Sequence, residues 1–134
     1  MSDPTADLTQ ADIARLVDRF YDRVQTDAVL GPIFNPAVHD WPAHKASLVR
    51  FWSSITLGTA SYRGNPMALH RPLPIDAAHF QHWLHLWRET ARDTLTAEQA
   101  ELFYSHAQRI AGSLMYGMGL DPRRRPLGLD RLDD

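Results

Sequence analysis

Six apolar residues near the start of the chain, Ile13, Leu16, Val17, Phe20, Tyr21 and Val24, recur at intervals of three and four. That spacing returns side chains to one face of an α-helix, whereas a half-buried strand alternates residue by residue. The same rhythm recurs in Trp41, His44, Leu48, Phe51, Trp52 and Ile55, again in Phe80, Trp83, Leu84, Trp87 and Ala91, and in Phe103, Ala107, Ile110 and Leu114. No segment shows strand alternation. The expected fold is all-α, with four substantial helices, one very short helix and irregular corners.

Local signals place the ends of these helices. Thr9 with Asp12, and Thr96 with Gln99, have capping-box spacing, in which a hydroxyl and a side chain three residues on satisfy each other's backbone amides. Asp40-Trp41-Pro42 starts the second long helix and Gly58 ends it; Asp76 caps the third, with Ile75 and Phe80 spaced as a hydrophobic staple. Gly117 and Gly119 stop the last helix. From Asp27 to Val38, Gly-Pro and Asn-Pro pairs break regular structure and leave Leu30, Ile33 and Phe34 as apolar plugs in a tight corner. Pro66 to His70 forms one turn of helix, closed off by Arg71-Pro72.

A chain of 134 residues supports one domain, expected over residues 1–119, followed by a loose solvated tail over 120–134. A formal charge of -2 gives no reason to expect nucleic acid or an anionic membrane as partner. The absence of cysteine excludes disulfides, thiolate nucleophiles, iron–sulfur clusters and thiolate-ligated haem, so metal chemistry falls to His, carboxylate or Tyr. No segment approaches the roughly 20 apolar residues of a membrane span, and the N-terminus lacks the basic and apolar regions of a signal peptide, so the expected location is cytoplasmic.

Seven histidines are the candidates for chemistry. His79, His82 and His85 resemble a metal comb, but helical-wheel arithmetic turns His82 and His85 about 150° and His79 about 90° from the buried stripe, so all three are expected to face water. His39 and His106 have no evident partner. His44 lies on the inward face of its helix, and His70 ends the short helix inside "MALHRPLP". Together with inward Tyr21 and Trp83 they bring four polar groups from four elements into an apolar interior, the composition of a ligand or cofactor pocket. A buried hydroxyl or indole N–H left without a partner costs about 1–3 kcal/mol, so something should receive those donors. One recipient is a ligand such as O₂, whose atoms gain partial negative charge on iron held by a neutral imidazole.

These residues resemble the truncated haemoglobins, and within them the third group. The resemblance spans residues 9 to 117 and rests on the order and spacing of "FYDRV", "LGPIF", "WPAHKASLVRFW", "PMALH" and "HWLHLW". It implies a shortened globin, a 2-on-2 helical sandwich around haem b. His70 matches the family's proximal iron ligand, Tyr21 and Trp83 the distal donors, and His44 a distal position that contacts ligand or swings as a gate. Phe34 matches the corner phenylalanine packed on the porphyrin, Leu48 and Trp52 the apolar positions above it, and Phe20, Leu69 and Phe80 further walls. The compact corner with Pro36 departs from the pattern, and Lys45, Arg63 and Arg71 are all available to haem propionates without a reason to choose.

The implied activity is binding of O₂, NO or CO with slow O₂ release, suited to sensing or to O₂, NO or peroxide chemistry. Turnover as an NO dioxygenase or peroxidase would draw on a separate reductase. Two rival readings remain at this level: a non-haem helical metalloprotein or hydrolase using His44, His70 and a carboxylate, which has no HExxH pair to recommend it, and a cofactor-free interaction module whose inward aromatics are only core.

Overall fold

A computed structural model describes residues 3–62, 64–70 and 72–120, without the side chains of residues 67 and 68. The expected tail, apart from its first residue, lies outside the described residues, as do Arg63 and Arg71. Six helices follow in order: α1 (Gln10–Thr26), α2 (Gly31–Phe34), α3 (Trp41–Leu57), α4 (Pro66–His70), α5 (Ala77–Thr94) and α6 (Ala97–Gly117). There is no strand among the described residues.

The capping chemistry appears as its sequence signals predict. Thr9 and Asp12 close a reciprocal box on α1, Thr96 and Gln99 close one on α6, and the Asp40 carboxylate accepts from Ala43 N–H at the start of α3. Each such cap contributes about 1 kcal/mol. Gly58 ends α3 with φ at +69°, a left-handed conformation that only glycine adopts without strain.

One element differs from expectation. The corner after α1 contains a helical turn of its own, α2, whose Pro32 occupies the start of a helix, where a missing N–H costs nothing. Gly31 opens it because α2 crosses close to the end of α1: a Cβ there would lie 2.9 Å from the Gln25 carbonyl oxygen. The last helix ends at Gly117, and the chain turns away at Gly119, where φ is +78°, as the two glycines predict.

The long helices form two pairs, α1 on α3 and α5 on α6, with α1 also packed on α5, while α4 touches α6. The two-residue link between α5 and α6 forces them to be antiparallel neighbours. At their centre lies an aromatic stack. Trp87 is fully buried, lies 4.7 Å from Trp52 and 5.8 Å from Trp83 in stacked geometry, and meets the Phe20 ring edge-on at 4.8 Å. Its indole N–H donates to the Phe103 carbonyl at 3.3 Å. Away from the core, Arg23 ties α1 to α5 through Thr90 at 2.9 Å and Asp93 at 2.7 Å.

The expected inward face of α3 is only partly sealed. Trp52 is buried, but Trp41, His44, Leu48, Phe51 and Ile55 are half-buried, and Trp83 and Ile110 behave likewise. Most of these side chains line a void between the pairs instead of meeting another helix. No helix among the described residues is long and apolar enough to cross a membrane.

Candidate functional site

The void is a cavity of about 350 Å³, within the range of small-molecule and cofactor sites. Nine of the ten residues expected at the site reach its wall: Tyr21 from α1, Phe34 from α2, His44, Leu48 and Trp52 from α3, Leu69 and His70 from α4, Phe80 and Trp83 from α5; Phe20 does not, because its fully buried ring packs edge-on against Tyr21, Trp83 and Trp87 in the core. Leu69, 62% exposed, stands at the rim. Sequence reasoning missed Tyr62, Leu73, Ile75 and Leu114 as wall residues. Leu73 and Ile75 sit in the irregular link between α4 and α5, where no period marks them. Leu114 was legible as buried but not as a wall.

His70 is fixed by its own helix. Its Nδ1 lies 2.7 Å from the Pro66 carbonyl oxygen, and a carbonyl only accepts, so Nδ1 carries the proton. In the neutral ring the lone pair then belongs to Nε2. That is the tautomer required of a histidine ligating metal through Nε2, with its second nitrogen oriented by a backbone carbonyl.

Tyr21 is buried, and burial pushes its phenol pKa well above the usual value, so the hydroxyl keeps its proton. A hydrogen bond from Trp83 acts in the opposite sense and does not overcome burial. An indole N–H is a donor only, so the Tyr21 oxygen accepts from Trp83 and its own proton remains available to the cavity. The two side chains therefore form a linked pair. His44 sits edge-on to Tyr21 at 5.5 Å and to Trp41 at 5.5 Å. Burial, reinforced by His70 in the same cavity, lowers the His44 pKa and keeps that ring neutral near pH 7.

The remaining histidines correct several expectations. His82 does not simply face water: its Nε2 lies 2.9 Å and 3.0 Å from the two Asp27 carboxylate oxygens. Asp27 belongs to a corner 55 residues away, and no helical wheel of α5 alone reveals it. The Nδ1 atom of His79 accepts from Asp76 N–H at 2.9 Å, completing the cap of α5, and its side chain reaches the cavity wall. His39 also reaches that wall. His106 accepts from Arg109 at 2.9 Å. His85 is exposed, as expected, beside Glu89. No group of three or more His, Asp or Glu side chains among the described residues is placed to hold a metal. Lys45, a nominal propionate partner, is held by Asp18 at 2.9 Å and Asp22 at 2.7 Å.

An apolar slot with one free imidazole lone pair and a protonated phenol in the same space fits a flat apolar cofactor that needs one axial nitrogen. The family model for bacterial-like globins matches residues 8–115. The chain is 34% identical over 120 residues to the group 3 truncated hemoglobin ctb of Campylobacter jejuni, covering 84% of this chain and 94% of that one. The crystal structure of the group III truncated hemoglobin from Campylobacter jejuni matches with a TM-score of 0.80 at 32% identity, covering 90% of this chain and 98% of that one. A thermostable hemoglobin from the actinobacterium Thermobifida fusca matches with a TM-score of 0.70 at 26% identity, covering 85% and 96% respectively. The stacked pairs are the 2-on-2 sandwich of those structures. The chain belongs to the bacterial-like globins, as a haem-binding truncated haemoglobin of the third group.

Proposed function

We propose that this globin holds haem b through His70 Nε2 and binds O₂ reversibly with slow release, NO and CO being alternative ligands. The observation that carries the reading is the His70 Nδ1 to Pro66 carbonyl bond of 2.7 Å, which pins the ring and leaves Nε2 unprotonated in a cavity that also holds a protonated Tyr21. Haem bound there supplies a ferrous iron that takes up diatomic ligands.

The chain's own residues do the rest. Phe34, Leu48 and Trp52, with Phe80 and Leu69 at the margins, exclude water from the faces of the cofactor. Tyr21 would donate a hydrogen bond from its hydroxyl to a bound ligand while keeping its proton, and Trp83 donates to Tyr21 and would strengthen that bond by polarising the hydroxyl. His44, neutral because of its burial, contacts the ligand or swings aside to admit it. Each distal donor is worth about 1 kcal/mol, or roughly fivefold in dissociation rate. Slow release favours O₂, NO or peroxide chemistry, or sensing, over delivery. Catalytic turnover, as an NO dioxygenase or peroxidase, then takes its electrons from a separate reductase.

One absorption spectrum tests the core of this reading. Purified or haem-reconstituted protein is expected to give a strong Soret band that shifts with dithionite and CO, and His70→Ala is expected to lose it. A protein that takes up no haem on reconstitution refutes the proposal, and a band unchanged in His70→Ala removes His70 from its assigned role.

A further inference from the structure

Asp27 is the first residue beyond α1, and its carboxylate gathers donors from two directions. It accepts from the backbone amides of Val29 at 3.0 Å and Leu30 at 2.9 Å, and from His82 on α5 at 2.9 Å and 3.0 Å. The amides lead into α2, whose Phe34 lines the cavity, while His82 immediately precedes Trp83 on α5. One carboxylate therefore ties together the end of α1, the start of α2 and the middle of α5. These three elements carry Tyr21, Phe34 and Trp83 to the same cavity.

The tie is stronger than an ordinary surface pair. The Asp27 side chain is only 18% exposed. Burial pushes its carboxyl pKa up, but the His82 imidazole and the Leu30 and Val29 amides together outweigh burial and hold it below the usual carboxylate value. An anion with three N–H donors makes charge-assisted bonds about twice as strong as neutral ones. A separate polar tie between α1 and α5, Arg23 with Thr90 and Asp93, involves none of the cavity's wall residues.

We propose that Asp27 and His82 are positioning residues for ligand binding: their hydrogen bond sets α5 against the α1–α2 corner, so that the Trp83 indole meets the Tyr21 oxygen and the Tyr21 proton points into the cavity. This role rests on the haem-ligand function proposed above. Neither side chain touches the ligand. They act by fixing the angle between Trp83 and Tyr21, the residue that does.

The test uses the haem-loaded full chain, with two readouts: the O₂ dissociation rate by stopped flow, and the C–O stretching frequency of the CO complex by infrared, which reports how a donor points at the ligand. His82→Ala is expected to raise O₂ dissociation about fivefold, the effect of weakening one distal hydrogen bond, and to shift the CO band. Asp27→Asn, which keeps an oxygen for the two amides but removes the charge facing His82, is expected to shift both readouts the same way. His82→Gln, whose amide still donates to Asp27, is expected to restore both. Arg23→Ala, which breaks the α1–α5 tie away from the cavity, is expected to lower the melting temperature and leave both readouts alone. The positioning role is overturned if His82→Ala and Asp27→Asn match the wild type, if His82→Gln fails to restore them, or if Arg23→Ala reproduces their shift. A wild-type chain with no CO band refutes the haem-ligand function itself, whereas a wild-type band indifferent to His82→Ala refutes only the positioning pair.

Discussion

Replacing Tyr21 by Phe removes one oxygen and leaves the ring, so its consequences can be followed atom by atom. The phenol is buried and protonated, it accepts from Trp83, and its own proton is available to the cavity. Loss of a neutral donor to a bound ligand costs about 1 kcal/mol, with a spread of roughly 0.5–1.5, which corresponds to a rise in O₂ dissociation of about fivefold and up to about tenfold. A second effect works against the first. Without the Tyr21 oxygen the Trp83 N–H loses its acceptor, and an orphaned buried donor costs about 1–3 kcal/mol. The indole recovers part of that by turning to the ligand, so the measured rise in Tyr21→Phe is a lower bound on what the hydroxyl supplies. Trp83→Phe should then raise dissociation more in the Tyr21→Phe background than in the wild type, a coupling that a double-mutant cycle reads directly. The assay is stopped-flow displacement of O₂ by excess CO, followed at the Soret band. An unchanged rate in Tyr21→Phe refutes the reasoning at its first step. Strict additivity with Trp83→Phe refutes the linked pair.

Three further outcomes follow from the packing and the charges. Ser53 Oγ is fully buried without a hydrogen-bond partner, so Ser53→Ala should be neutral or stabilising by about 1 kcal/mol in urea unfolding, where most core truncations destabilise. Trp87→Ala, which empties the centre of the aromatic stack, should cost about 3–5 kcal/mol in the same assay. Asp27 has a folded pKa lowered from its ordinary 3.8, so its contribution to stability is complete above that value and fades as pH falls through the lower folded one. The stability gap between wild type and Asp27→Ala should therefore be widest near neutral pH and close on acidification below about pH 4, as measured by thermal unfolding across pH.

The readable parts of this protein are those decided by neighbours in sequence. The start and buried face of helix α1 were legible because Thr9, Asp12 and the Ile13–Val24 stripe lie within a few turns, and cap chemistry acts over three residues. The fenced turn holding His70 was legible for the same reason, through prolines that act on adjacent backbone. Periodicity named Tyr21, His44 and Trp83 as inward. It could not distinguish a core face from a cavity wall, because both require apolar neighbours at the same spacing, and so it expected α3 to be sealed where Leu48 and Phe51 stay half-buried. The resemblance to known sequences, not the wheel, gathered these residues around one cofactor. What remained hidden depends on distance in sequence: the Asp27–His82 bond, and the single Trp83 N–H given to Tyr21, require knowing which elements meet. Helix α2 was hidden differently. A sequence of Gly, Pro and Asn reads as breakers, yet Pro32 in the first turn, with the Asp27 carboxylate holding the Val29 and Leu30 amides ahead of it, was enough to wind one turn.

The aromatic stack also gives the protein an optical property. All four of its tryptophans, Trp41, Trp52, Trp83 and Trp87, belong to one connected group of rings around the cavity. A porphyrin in that cavity lies within easy range of resonance energy transfer from every one of them. Intrinsic fluorescence is therefore a built-in gauge of occupancy: dark when the pocket is filled, bright when it empties, with no label required to follow cofactor capture or loss in real time.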